Sequence, residues 1–275
     1  MFVVAILELA TSVEAEAAAL AVDLGSTAYE QRLHLVAGLP AVVLTTADPA
    51  PARALLRSLR ARGHGALAVD AAAVVSSGDM VLLRRGRLEP GCIVAEDPAA
   101  SGVTAAPAAA TERLPFDDVL ALIRATQRQR VTSKVEVKER KFAPGSTMMT
   151  GGLVMSKTVT REETRVNDER SEVLYLFRKS GERPWLLRER GASYGWLGGT
   201  MAPSSLQNFT ATVALLRQRA PGAVHDERLT GPRRQVPFSG NGSPSPDPTA
   251  DLLAHLLACW AARASAPGGG AAAPG

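Results

Sequence analysis

Residues 173–221 read VLYLFRKSGERPWLLRERGASYGWLGGTMAPSSLQNFTATVALLRQRAP. Val173–Arg178 and Trp185–Glu189 are apolar, aromatic runs that predict two strands joined by a turn at Ser180-Gly181. A second turn stands at Gly198-Gly199. Ser204 or Ser205 then caps a helix with Phe209, Val213, Leu216 and Ala220 at helical spacing, and Pro221 stops it. Tyr175, Phe177, Trp185, Tyr194, Trp196 and Phe209 are half of the chain's aromatics. Local signals that agree this densely mark a core.

Upstream, Val131–Lys141 alternates between Val131, Ser133, Val135 and Val137 on one face and Thr132, Lys134, Glu136 and Lys138 on the other, as a half-exposed strand does. Ala143–Val154 interrupts it, and Thr158–Arg170 returns without a sustained apolar face, which fits a long hairpin or a mobile loop. Leu114–Ala125 suits a helix or a strand, and periodicity does not decide between them. Met80–Arg87 and Cys92–Glu96 predict strands around Pro90-Gly91, and Ala99–Thr111 is an Ala, Pro and Gly loop. This run of short strands closed by one amphipathic helix, with LPFDDV at Leu114–Val119, resembles a pleckstrin-homology-like domain over Asp79–Leu229. The resemblance implies a curved seven-stranded sheet plugged by the helix, with Phe209 where the family often has Trp.

The first seventy residues follow a different plan. Phe2–Leu9 predicts a buried strand. Ser12 opens an Ala-rich helix that Gly25 stops. Ser26 or Thr27 opens a second helix with Tyr29, Leu33 and Val36 at helical spacing, ended by Gly38 and Pro40. Ala41–Thr45 is a short strand. Asp48 caps a third helix with Pro49 at its first position and Leu55, Leu56 and Leu59 on one face, and Ala66–Val69 begins a last strand. The order β-α-α-β-α-β describes a compact α/β layer. Thr27–Asp70, with LHLVAGLP at Leu33–Pro40, resembles the C-terminal domain of the large-subunit ribosomal stalk protein. That family docks translational GTPases through lysines on its helices. The aligned positions here are Glu30 and Leu33, so the resemblance carries the fold and not that contact.

From Thr230 the chain is rich in Pro, Gly and Ser and reads as a disordered tail over 230–275. Within it, Ala250–Ala264 forms an amphipathic helix with Leu252, Leu256, Cys259 and Trp260, which docks either on its own domain or in a partner's groove. The expected architecture is therefore α+β: a small domain over 1–75, a β-rich domain over 79–229 and a tail.

Composition narrows the function classes. The net charge of +4 is only mildly basic. Residues 1–75 carry seven acidic and five basic groups and residues 76–229 carry eighteen and twenty-three, so the excess sits in the middle of the chain, short of a dedicated nucleic-acid binder. The two cysteines, Cys92 and Cys259, make no metal or redox spacing, and the default is a reducing compartment. The apolar run of MFVVAILELA ends at Glu8, too short for a spanning helix, and a cytoplasmic location is expected.

No catalytic constellation stands out. His34, His64, His225 and His255 lie on four separate elements without metal-site spacing. Asp117-Asp118 and Glu162-Glu163 are adjacent pairs, which on a strand point to opposite faces. No G-x-S-x-G elbow is present, and Gly198-Gly199 lacks the Lys of a phosphate loop. What remains is a basic stripe of Lys134, Lys138, Arg140 and Lys141, the adjacent Met148 and Met149, and the late helix with Leu252, Leu256 and Trp260. These point to a non-enzymatic adaptor or scaffold for an unidentified protein partner, with no cofactor and no specific nucleic acid. The alternative is attachment to an anionic membrane surface through the basic strand and Met-rich loop.

Overall fold

The computed structural model describes residues 1–96, 111–142, 156–231, 233, 235–236 and 243–265, without the side chains of 129–142 and 156–169. Met148, Met149, most of the Ala99–Thr111 loop, the Ala143–Val154 interruption and the last ten residues lie outside the described residues. The protein is mixed α+β and divides into two units, Met1–Gln127 with Ser171–Gly275, and Arg128–Arg170.

In the larger unit, β1 (Phe2–Glu8), α1 (Val13–Leu24), α2 (Ala28–Val36), β2 (Ala41–Thr46), α3 (Pro49–Ala61) and β3 (Gly65–Asp70) follow in the expected order. The caps explain the boundaries. Ser12 Oγ accepts from Ala15 N at 3.2 Å, and Gly25 closes α1 at φ 64°, a left-handed conformation that suits a residue without Cβ. Asp48 Oδ1 accepts from Ala50 N at 2.8 Å with Pro49 behind it. The strands pair antiparallel in the order β2-β1-β3. Alternation along β1 then serves two cores, because Val4 and Ile6 meet Leu20, Leu35, Leu55 and Leu59 of the helices while Val3, Ala5 and Leu7 face the other way.

A second sheet runs β11-β8-β9-β10-β4, built from β4 (Val81–Leu82), β8 (Val119–Phe142), β9 (Ser156–Arg178), β10 (Trp185–Arg188) and β11 (Val224–Leu229). It is mixed, since β4 pairs parallel with β10 and β11 parallel with β8. A third, antiparallel sheet comprises β5 (Arg85–Leu88), β6 (Cys92–Glu96) and β7 (Glu112–Pro115) in that order. The ambiguous Leu114–Ala125 resolves into the end of β7, a 3-10 turn at Phe116–Asp118 and the start of β8. β11, whose sequence VHDERL is charged at three of six positions, was not anticipated from the apolar pattern. The second unit, Arg128–Arg170, holds the remainder of β8 and β9.

The helix anticipated at Ser204 or Ser205 is α4 (Ser205–Arg219). Phe209, Val213, Leu216 and the following Ala220 are buried with Trp185, Leu174 and Leu176 on one face of the second sheet. On the opposite face, Ala121, Ile123, Val173, Tyr175 and Leu186 join one core with Val3, Ala5 and Leu7 of the first sheet. Between them lies α5 (Pro248–Ser265).

The helix placed by sequence in a disordered tail is thus core structure. Leu252, Leu253, Leu256 and Leu257 are all buried, so α5 is apolar on more than one side, as a helix between two layers must be. At about 1.5–3 kcal/mol for each fully buried Leu, those four side chains alone contribute a large share of a domain's net stability. Its entry is tied to the segment after β3: Ser76 Oγ donates to Ser243 O at 2.7 Å, Ser243 N to Asp79 Oδ2 at 2.9 Å and Ser77 N to Asp251 Oδ2 at 2.7 Å. Gly78 is required there, because a Cβ would come within 2.8 Å of Pro244 O.

Candidate interaction surface

The α1–α2 pair presents the clearest departure from a satisfied fold. Thr27 caps α2 with a full capping box: its Oγ1 accepts from Glu30 N at 3.2 Å, and Glu30 Oε2 accepts from Thr27 N at 3.0 Å. With the start fixed, the phase of α2 is fixed too, and it is the reverse of the apolar pattern. Tyr29, Leu33 and Val36 are 68%, 48% and 63% exposed, while Gln31 and Leu35 are 6% and 3% exposed. The buried Gln31 donates from Nε2 to Ser26 Oγ at 2.9 Å, while its Oε1 has no partner among the described residues. Val22, in the last turn of α1, is 84% exposed.

Residues i, i+4 and i+7 share one side of a helix, so Tyr29, Leu33 and Val36 form a stripe. Three large apolar side chains in one row are the kind of surface that marks a binding site, whereas scattered ones mark nothing. Sequence spacing located the stripe but not its direction. Arg32 Nε sits 3.8 Å from Glu14 Oε1 alongside it, with both side chains mostly solvated.

The scaffold under this surface is rigid. Glu16 of α1 is buried, and its carboxylate accepts from Arg62 Nη2 at 2.7 Å and Nε at 3.0 Å. It also meets His64 Nε2 at 2.5 Å. Ala10 N donates to His64 Nδ1 at 3.0 Å, which leaves Nε2 as the proton-bearing nitrogen. Arg62 Nη1 further donates to Asp23 Oδ2 at 2.8 Å. These bonds lock α1 to the end of α3.

The residues singled out from sequence are not brought together. Lys134, Lys138, Arg140 and Lys141 lie on the β8 backbone, with side chains outside the described residues, as are Met148 and Met149 entirely. Leu252 and Leu256 are wholly buried in the core of the chain itself, which decides their docking in favour of the protein's own sheets. Trp260 lies half-buried at the rim, where its Nε1 donates to Glu8 Oε1 at 3.2 Å and its ring crosses Gly65 so closely that a Cβ there would stand 3.0 Å away.

Several titratable groups with shifted pKa are held in contacts within the fold. Burial pushes the Asp118 carboxyl up, but hydrogen bonds from Arg178 and Ser180 outweigh it and hold the group below its ordinary range. Burial lowers His255, which stands 3.5 Å from Cys259 on the next turn of α5, and raises that thiol, so neither is an activated pair at neutral pH. His34 Nδ1 lies 3.2 Å from Val42 O, and burial lowers His225. Among the described residues no cluster of His, Cys, Asp or Glu is arranged to hold a metal ion, and no helix is long and apolar enough to cross a membrane. A cleft of about 140 Å³ runs beside β2, lined by His34, Pro40, Val42, Leu44, Arg233 and Val236 among others. Arg233 there is committed to Asp247 at 2.8 Å.

Comparison with protein-family models, curated proteins and solved structures gives no match. The surface chemistry therefore carries the functional argument.

Proposed function

We propose that this protein is a non-catalytic adaptor that binds a protein partner through the outward face of the α1–α2 pair. The observation that carries the reading is the solvent-facing row Tyr29, Leu33 and Val36, with the capping box and the buried Gln31 holding it outward. Such a row fits the i, i+3/i+4, i+7 logic of helix recognition, in which an amphipathic partner covers the exposed side chains. The β-α-α-β-α-β order over Phe2–Asp70 supports a stalk-protein-like fold beneath this face. The run of strands closed by α4 supports a pleckstrin-homology-like reading of Asp79–Leu229, from which the parallel β4–β10 and β8–β11 pairs depart.

The test is affinity capture from the source cell's extract with the parent chain and with a Tyr29→Ser, Leu33→Ser, Val36→Ser variant. Partners held by the parent should be lost by the variant while its unfolding midpoint stays unchanged or rises. An identical set of partners on both proteins would sink the reading.

A further inference from the structure

The outer side of α3 carries two arginines that the fold does not use. Arg60 donates from Nε and Nη2 to Ala66 O at 3.3 and 3.2 Å, and Arg62 is bound to Glu16 and Asp23. Arg53 and Arg57 are different: both are exposed, and neither has an ion-pair or hydrogen-bond partner among the described residues. They stand four residues apart, so their guanidinium groups rise from the same side of the helix one turn apart, where like charges repel and weaken it. With Ala50 and Leu56 they border a shallow, open hollow on the surface of α3.

We propose that this hollow docks an acidic segment of a partner protein, with one carboxylate on each of Arg53 and Arg57 and an aliphatic side chain on Leu56 and Ala50. The sign of the partner follows from charge complementarity, since two planar guanidinium groups present forks that match carboxylates. Its class follows from the floor. A nucleic-acid backbone lying along the two arginines supplies phosphates and sugars but no aliphatic side chain to cover Leu56. The surface is separate from the α2 stripe and does not depend on it.

The experiment is fluorescence anisotropy with the full chain and a labelled acidic helical peptide, in which glutamates recur every fourth position with leucine between them. A glutamine counterpart and a single-stranded DNA serve as the other probes. The acidic peptide should bind, weaken as salt is raised, and lose about tenfold in affinity to an Arg53→Gln, Arg57→Gln variant. The glutamine peptide should not bind. Because both arginines are exposed and unpaired, the variant should keep the parent's unfolding midpoint. The Tyr29→Ser, Leu33→Ser, Val36→Ser variant should bind the peptide like the parent, which separates this surface from the first. No binding by the parent, equal binding by the arginine variant, or tighter binding of DNA than of the acidic peptide would each overturn the proposal.

Discussion

The hydroxyl of Tyr175 donates to Asp251 Oδ1 at 2.8 Å and accepts from Gln127 Nε2 at 2.7 Å, with all three side chains buried. This contact joins β9 of the second sheet to α5, and Ser77 N, donating to Asp251 Oδ2, extends it to the segment after β3. A polar chain inside an apolar core fixes one axial and rotational setting of α5, because any slip leaves a buried donor or a charge without its partner.

Removing the hydroxyl tests that function directly. Tyr175→Phe keeps the ring and strands the Gln127 amide and one Asp251 oxygen. The expected loss is about 1–3 kcal/mol in urea unfolding, with an unchanged slope. A loss within error would show that the network is not closed as described.

Asp251 also sets a pH dependence. Burial pushes its carboxyl above the ordinary 3.8, outweighing hydrogen bonds from Ser245, Ser77 and Tyr175. A folded-state pKa above the unfolded one means that the native chain holds this proton longer as pH rises. The associated stabilisation is fully present below the unfolded value and is lost as pH climbs through the folded value. Asp118 has the opposite sign, since its lowered pKa gives stability above the unfolded value that is lost in acid. Unfolding curves of the parent and Asp251→Asn between neutral pH and the carboxylate range should therefore diverge, with the parent gaining relative to the variant as pH falls.

Glu16 is the charge whose loss matters most in the helical layer. Glu16→Ala leaves the buried His64 without its acceptor and breaks the paired contact from Arg62. A cost of about 1–3 kcal/mol is expected, because the buried His64 Nε2–H is left without an acceptor while Arg62 keeps Asp23. Measurement by thermal or chemical unfolding should show the whole larger unit losing stability and not a local fraying of α1.

Gly86 tests the third sheet. A Cβ at this position would overlap the carbonyl oxygen of Val94, in the strand that pairs with it, and backbone does not move aside cheaply. Gly86→Ala should lower the unfolding midpoint, with a cost of about 1–3 kcal/mol from overpacking. Gly91→Ala, where nothing lies within 4 Å, is the matched control.

Elements with strong local signals were legible from sequence. The helix at Ser205–Arg219 and the β-α-α-β-α-β order depend on caps, turns and periodic apolar residues, all of which act over a few positions. The candidate surface was half legible: Tyr29, Leu33 and Val36 were visible as a row, yet a row of that kind usually faces inward. What turned it outward is the small buried side of α2, Gln31 and Leu35. For α5 a usable signal was present in LLAHLLACWA, which is apolar around most of the helix, and the polar Pro, Gly and Ser flanks obscured it. The free arginines on α3 could be seen as residues but not as unpaired ones, since Arg60 and Arg62 look the same in the sequence.

Val173–Pro221 determined by itself that two strands and a closing helix pack their aromatics together, because each step there is a local choice. Only the tertiary structure decided that the second sheet has two buried faces, that α5 fills the space between it and the first sheet, and that the apolar row of α2 is left uncovered. Those outcomes depend on contacts between residues more than seventy positions apart, such as Tyr175 with Asp251, and on which of several apolar surfaces finds a partner first. A sequence states how much apolar surface each element offers. Packing alone settles which of it remains for others to use.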